Sequence, residues 1–251
     1  MPQINRDGVK INYNTYGNGP ALLLTHGFSA SSQMWDSQVD TLSKFFTLIL
    51  WDMRGHGQTD YPNDENLYNE RETIEDIKGI LNELKIEKAS IGGMSLGGYM
   101  SLAFYYKYPE MVENLLIIDT GPGFKNIEAR ESWNNYALKQ ARKFEDVGLD
   151  GLKGKSKEMN PKNHKNAKGL VYAAKGMLTQ KDDRIINELP NIKVPTLIIV
   201  GENDKPFLAA ADYMEKKIKN SKKIIIKDAG HAVNIDQPSV FNDEIQKFLI
   251  S

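Results

Sequence analysis

Six short apolar runs recur along this chain, at residues 21–25 (ALLLT), 48–51 (LILW), 89–92 (ASIG), 115–119 (LLIID), 196–200 (TLIIV) and 223–226 (KIII). Runs this short and this apolar suit strands buried on both faces, which is how a mostly parallel sheet covered by helices presents itself. The segments between them have helical character, at 35–45, 72–85, 97–107, 207–219 and 239–249. Ile77, Ile80, Leu81 and Leu84 carry the i, i+3, i+4 spacing of one packed helix face. Residues 3–16 alternate around Asp7-Gly8, with Val9, Ile11 and Tyr13 on one side, and predict an antiparallel hairpin at a sheet edge. The fold class is therefore α/β.

The rhythm breaks between Gly121 and Pro190, a stretch too long for a bare loop. It predicts a helical insertion covering one end of the sheet, so that residues 1–120 and 191–251 form the core and 121–190 a cap. Trp133, Tyr136, Ala137 and Ala141 share one face of a helix there, as cap core or as pocket wall. From Lys139 to Lys168 nine basic residues stand against four acidic ones, either as a solvated face or as a patch that attracts anions.

Composition narrows the chemistry. The absence of cysteine removes disulfides, thiolate catalysis and cysteine-ligated metal sites. A formal charge of -1 gives no reason to expect nucleic acid or an anionic membrane as partner. No basic segment followed by an apolar run opens the chain, and no stretch approaches the ~20 apolar residues of a membrane span, so a cytoplasmic protein is expected. No two histidines have the spacing of metal ligands on a helix, and neither a phosphate-cradling G-x-x-x-x-G-K-[ST] nor a G-x-G-x-x-G occurs around the glycine cluster at 92–98. Neither metal nor cofactor is expected.

That glycine cluster is the sharpest local signal. Gly93-Met94-Ser95-Leu96-Gly97 follows an apolar run and opens a helix ending near Pro109, the context that G-x-S-x-G requires. A serine hydroxyl is a weak nucleophile near neutral pH, so a base must take its proton during attack. Among His26, His56, His164 and His231, the last stands just after the final apolar run, in Asp228-Ala229-Gly230-His231, and its loop leaves the same sheet edge as Ser95. A carboxylate is needed to orient that histidine. Asp204, in Gly201-Glu202-Asn203-Asp204, has the right edge and chain position, while Asp119, which also ends an apolar run, is its competitor. The backbone N–H groups of Phe28, in Thr25-His26-Gly27-Phe28, and of Leu96 are the expected oxyanion donors. His26 and His56 are expected to be structural, His164 to be solvated, and Asp52 and Arg54 to tie their loop by charge-assisted bonds.

Taken together, HGF, DMRGHGQT at 52–59, GGMSLGG, GEND and DAGH resemble the α/β-hydrolase superfamily over nearly the whole chain. The resemblance implies a core of about eight strands, a cap inserted after the sixth, and a cofactor-free hydrolytic site beneath it. The order Ser95, Asp204, His231 is the nucleophile, acid, histidine order of that fold. The segment DTGPGFK at 119–125 is also similar to uncharacterised bacterial members likened to enol-lactone hydrolases. Epoxide hydrolases and haloalkane dehalogenases of the fold carry aspartate where this chain has Ser95, which sets both chemistries aside.

The expected activity is hydrolysis of small carboxylic esters, lactones and thioesters among them, through an acyl-enzyme. Carbon–carbon bond hydrolysis or a cofactor-free haloperoxidase-like reaction on the same triad is the alternative within enzymes. A ligand-sensing receptor of this fold is the alternative outside them.

Overall fold

The computed structural model describes residues 2–154 and 156–250. The strands β1 (Gln3–Arg6), β2 (Val9–Tyr16), β3 (Ala21–Thr25), β4 (Thr47–Trp51), β5 (Ala89–Met94), β6 (Val112–Ile118), β7 (Thr196–Gly201) and β8 (Ser221–Ile226) form one sheet in the order β1-β2-β4-β3-β5-β6-β7-β8. The β1–β2 hairpin pairs antiparallel to β4, and every later pairing is parallel. The helices are α1 (Asp36–Leu42), α2 (Glu70–Glu83), α3 (Leu96–Lys107), α4 (Ile127–Val147), α5 (Ala167–Gly176), α6 (Arg184–Glu188), α7 (Lys205–Lys217), α8 (Val233–Asp236) and α9 (Pro238–Ile250).

Successive side chains of a strand point to opposite faces, so a strand apolar at every position must be covered twice. Leu23, Ile49, Ile91, Ile117 and Ile198 face one core together with residues of α2, α3 and α7, among them Ile77, Phe104 and Met214. Leu22, Leu24, Leu116 and Ile199 face the other, with Leu42 of α1 and Phe241 and Ile245 of α9. This is the α/β-hydrolase fold predicted above. Two strands depart from the prediction in an instructive way. β6 begins at Val112, because Val112 and Asn114 pair with Ala89 and Ser90 of β5 across a register shift that passes over Glu113, and neither Glu113 nor Asn114 reads as strand interior. β8 is an edge strand rather than one buried on both faces. Ile225 is 47% exposed and only Ile226 is buried, while Lys222 and Lys223 lie on the rim, where charge discourages pairing with another chain.

Between β6 and β7 the chain forms α4, α5, α6 and short 3-10 turns. Ala141 and Phe144 of α4 pack on Leu170, Val171 and Ala174 of α5. Trp133 Nε1 donates to Leu178 O at 2.7 Å and fixes α4 against the chain leaving α5. Among the described residues no helix is long and apolar enough to cross a membrane.

Parallel strands deliver all their C-terminal ends to one edge. The chain steps from β3 outward to β4, then back across to β5, so the connections leaving β3 and β5 diverge. Such a switch point opens a crevice outside the strand ends, the usual location of a ligand site in an open α/β sheet. The turns carrying Phe28 and Ser95 flank it.

Candidate active site

Ser95 occupies the junction of β5 and α3 with φ 54° and ψ -118°, a conformation that a non-glycine residue adopts only under constraint. The constraint is visible. Ser95 N–H donates to Ile118 O at 2.9 Å, Thr120 Oγ1 donates to Ser95 O at 2.7 Å, and Tyr99 N–H donates to the same carbonyl at 3.1 Å. The glycine two residues on is demanded by packing, because a Cβ on Gly97 would stand 2.2 Å from Thr25 O and 2.6 Å from His26 O. We therefore expect Gly97→Ala to destabilise the fold by about 3 kcal/mol, the upper range for overpacking, as read from urea unfolding midpoints. An unchanged midpoint would mean that α3 can back away from β3 without cost.

The loop after β3 lies against this turn: a Cβ on Gly27 would be 3.4 Å from Ser95 Cβ. Phe28 follows at the cavity wall. Leu96 opens α3, where the first N–H groups lack intrahelical partners and the helix dipole favours negative charge.

On the other side, the turns after β7 and β8 press together; a Cβ on Gly201 would meet Gly230 O at 2.2 Å. That approach brings Asp204 to His231, with His231 Nδ1 to Asp204 Oδ2 at 2.8 Å. The Asp204 side chain is 4% exposed and that of His231 33%. Phe207 stacks on the imidazole with ring centroids 5.1 Å apart. Burial alone would depress the His231 pKa, but the hydrogen bond and charge of Asp204, assisted by Asp119 and Glu158, outweigh it and hold the pKa above its ordinary value.

Asp119 is placed differently. It is fully buried, with Oδ1 accepting from Gly201 N–H at 2.8 Å and Oδ2 from Val233 N–H at 3.2 Å. Both oxygens are spent on holding the β7 turn and the start of α8. Burial raises its pKa well above the usual carboxylate value, against those two backbone bonds.

The remaining histidines lie around the loop that follows β3. His26 Nε2 accepts from Met53 N–H at 3.0 Å and its Nδ1 meets Gly27 O at 2.7 Å; His56 Nε2 accepts from Ser29 N–H at 3.1 Å. Burial lowers the pKa of both. His164 is not solvated as its polar surroundings, PKNHKN, predict. It is 7% exposed, its Nε2 donates to Ser29 O at 3.1 Å, and burial draws its pKa down to about 4. Nothing in the local sequence signals this, because the contact spans 135 residues. His56 and His164 thus grip the two backbone groups of Ser29, next to Phe28. Asp52 does tie its loop, accepting from Ser32 and Gln58 N–H, whereas Arg54 reaches across to α2 and pairs in bidentate fashion with buried Asp76.

Phe28, Ser95, Asp204 and His231 line one open cavity of about 720 Å³, with Trp133 and Tyr136 of α4 on its far wall. A recess of about 110 Å³ beyond Ser95 and Leu96 is also bounded by Trp133 and Phe207. Trp133 and Tyr136 are therefore pocket wall, while Ala137 and Ala141 on the same helix are buried. Four lysines of the 139–168 segment are engaged with partners outside this lining. Lys153 pairs with Asp150, Lys157 with Asp236, Lys165 donates to Gln58 and Thr59 carbonyls, and Lys168 to Asn63. Glu158, which no sequence signal singled out, lines the cavity instead.

A parallel sheet with a serine turn, an Asp–His pair and a covering helical segment at one strand edge defines a class of hydrolytic enzyme. The chain belongs to the α/β-hydrolase family: the family described as alpha/beta hydrolase fold matches residues 20–149. It is 30% identical, over 98% of its length and 96% of the relative's, to the Bacillus subtilis (strain 168) protein named "Putative 2-succinyl-6-hydroxy-2,4-cyclohexadiene-1-carboxylate synthase". Among solved structures it is similar to the enol-lactonase from Burkholderia xenovorans LB400, with TM-score 0.82 and 25% identity over 100% of both chains. It is also similar to a thermophilic esterase from Thermogutta terrifontis, with TM-score 0.83 and 26% identity over 99% of this chain and 97% of that one. The protein is a hydrolase of this family.

Proposed function

We propose that the protein is a serine hydrolase of carboxylic esters, lactones or thioesters included, working through an acyl-enzyme. The carrying observation is the 2.8 Å contact between His231 Nδ1 and Asp204 Oδ2 beside a cavity that Ser95 also lines. In this reading Ser95 Oγ attacks the carbonyl carbon while His231 Nε2 takes the hydroxyl proton. Asp204 holds the tautomer with Nδ1 protonated and stabilises the imidazolium. The tetrahedral oxyanion is met by the N–H groups of Phe28 and Leu96. Collapse expels the alcohol, which receives the proton from His231, and water then repeats the sequence on the acyl-enzyme to release the acid. Residues 121–190 act as the cap over a core of 1–120 and 191–251, and α4 supplies the wall that a substrate's non-reacting part would touch.

The test is hydrolysis of p-nitrophenyl butyrate across pH. Only neutral His231 has a lone pair to accept the Ser95 proton, so kcat/KM should fall as pH drops through the His231 pKa. That pKa is held up, so the acid limb should inflect above the ordinary histidine value of about 6.5. In Asp204→Asn the principal groups raising it are gone and the inflection should move down. No turnover, or a rate independent of pH through this range, would remove the reading.

A further inference from the structure

The charged side chains bordering the 720 Å³ cavity are acidic apart from the histidine. Among the described residues that line it there are Glu158, Asp204 and His231, and no lysine or arginine; the rest of the wall is largely apolar, as at Phe28, Trp133 and Phe207. Asp204 is committed to His231. Glu158 is not committed to a cation: it is 4% exposed, and its hydrogen-bond partner is the Ser156 hydroxyl two residues away. The neighbouring Lys157 turns away to pair with Asp236 at 2.8 Å. A carboxylate buried with a single hydroxyl partner retains unfilled acceptor capacity and a strong local field, which a bound donor or cation would satisfy.

We propose that Glu158 is a specificity-determining residue that rejects anionic esters and accepts esters whose non-reacting end is apolar or carries an ammonium or other N–H donor. This rests on the hydrolase reading above and specifies its substrate class. The lysines of the 139–168 segment do not oppose it, since those with described partners are engaged away from the cavity wall. The physical basis is short-range: a substrate carboxylate entering the cavity meets Glu158 with no lysine or arginine among the described lining residues, whereas an ammonium there gains a charge-assisted hydrogen bond.

Three p-nitrophenyl esters with six-carbon acyl groups separate charge from size: the hexanoate, the 6-aminohexanoate and the mono-adipate. In the wild type, kcat/KM for the adipate should lie at least about tenfold below that of the other two, with little change on adding salt, because buried or partly buried pairs are screened far less than exposed ones. In Glu158→Gln the adipate should gain and the aminohexanoate lose relative to the hexanoate measured in the same variant, which takes up any effect of the lost charge on His231. Adipate turned over as fast as hexanoate by the wild type, or a Glu158→Gln effect equal on all three, would overturn the proposal. If none of the three is hydrolysed, the hydrolase reading fails separately. The charge preference is then read from calorimetric binding of methyl hexanoate, methyl 6-aminohexanoate and monomethyl adipate to Ser95→Ala. Tightest binding of the adipate would overturn it, and weakest binding would support it.

Discussion

Ser95→Ala should abolish ester hydrolysis, with kcat lowered by about 10⁵–10⁶, while the protein remains folded. The size of the effect follows from the mechanism, since removing the hydroxyl removes the atom that forms the acyl-enzyme and leaves the oxyanion donors and binding contacts to act alone. The strained turn should survive, because it is imposed from outside by the Ile118 carbonyl, the Thr120 hydroxyl and the close packing at Gly97. A fluorophosphonate should label Ser95 and no other serine of the wild type, and nothing in the variant, as read by peptide mapping. Labelling that persists in the alanine variant would move the nucleophile elsewhere. A folded wild type that never reacts would leave the turn without an activated hydroxyl.

Asp204→Asn should lower kcat by about 10⁴, and Asp119→Asn by far less. An asparagine at position 204 can still touch His231, but it can present an N–H where the ring needs an acceptor, so it favours the wrong tautomer and offers no charge to the imidazolium. At position 119 the same substitution acts on the fold. One of the two backbone donors, from Gly201 or Val233, would face an amide NH₂ in place of a carboxylate oxygen, at a fully buried site. An orphaned buried donor costs about 1–3 kcal/mol, so Asp119→Asn should lower the urea midpoint more than Asp204→Asn does. Two assays on the same pair of variants therefore separate the acid that would orient the base from the acid that holds its loops. Equal or reversed activity losses would transfer the orienting role to Asp119.

The contrast between those two aspartates also marks how far the chain can be read without coordinates. Both end apolar strands at the same edge, and strand-end position alone leaves them as rivals. The 2.8 Å contact of Asp204 with His231, and the double backbone engagement of Asp119, exist only because the β7 and β8 turns approach at Gly201 and Gly230. Ser95 needed no such help, since the glycines around it, the apolar strand before it and the helix after it are all local.

The residues whose roles were hidden are those whose partners lie far away in sequence. His164 looked solvated among lysines and asparagines, yet it bonds Ser29 O across 135 residues. The basic excess of the 139–168 segment was legible as composition. Its direction was not, and the structure turns Lys153, Lys157, Lys165 and Lys168 toward Asp150, Asp236 and the loop at 58–63 while Glu158 lines the cavity. The volume of the cavity that α4 helps to line, about 720 Å³, was not legible either, because it depends on how α4 sits against distant loops.

The strand and helix rhythm, the edge at which the parallel strands end and the turn carrying Ser95 were legible in the chain itself, because periodicity and steric demand at glycine act over a few residues. Which aspartate meets His231, what grips the loop after β3 and which charged groups line the cavity became visible with the packing of the whole chain. Those outcomes depend on side-chain directions and loop approach between distant segments, which no local pattern encodes.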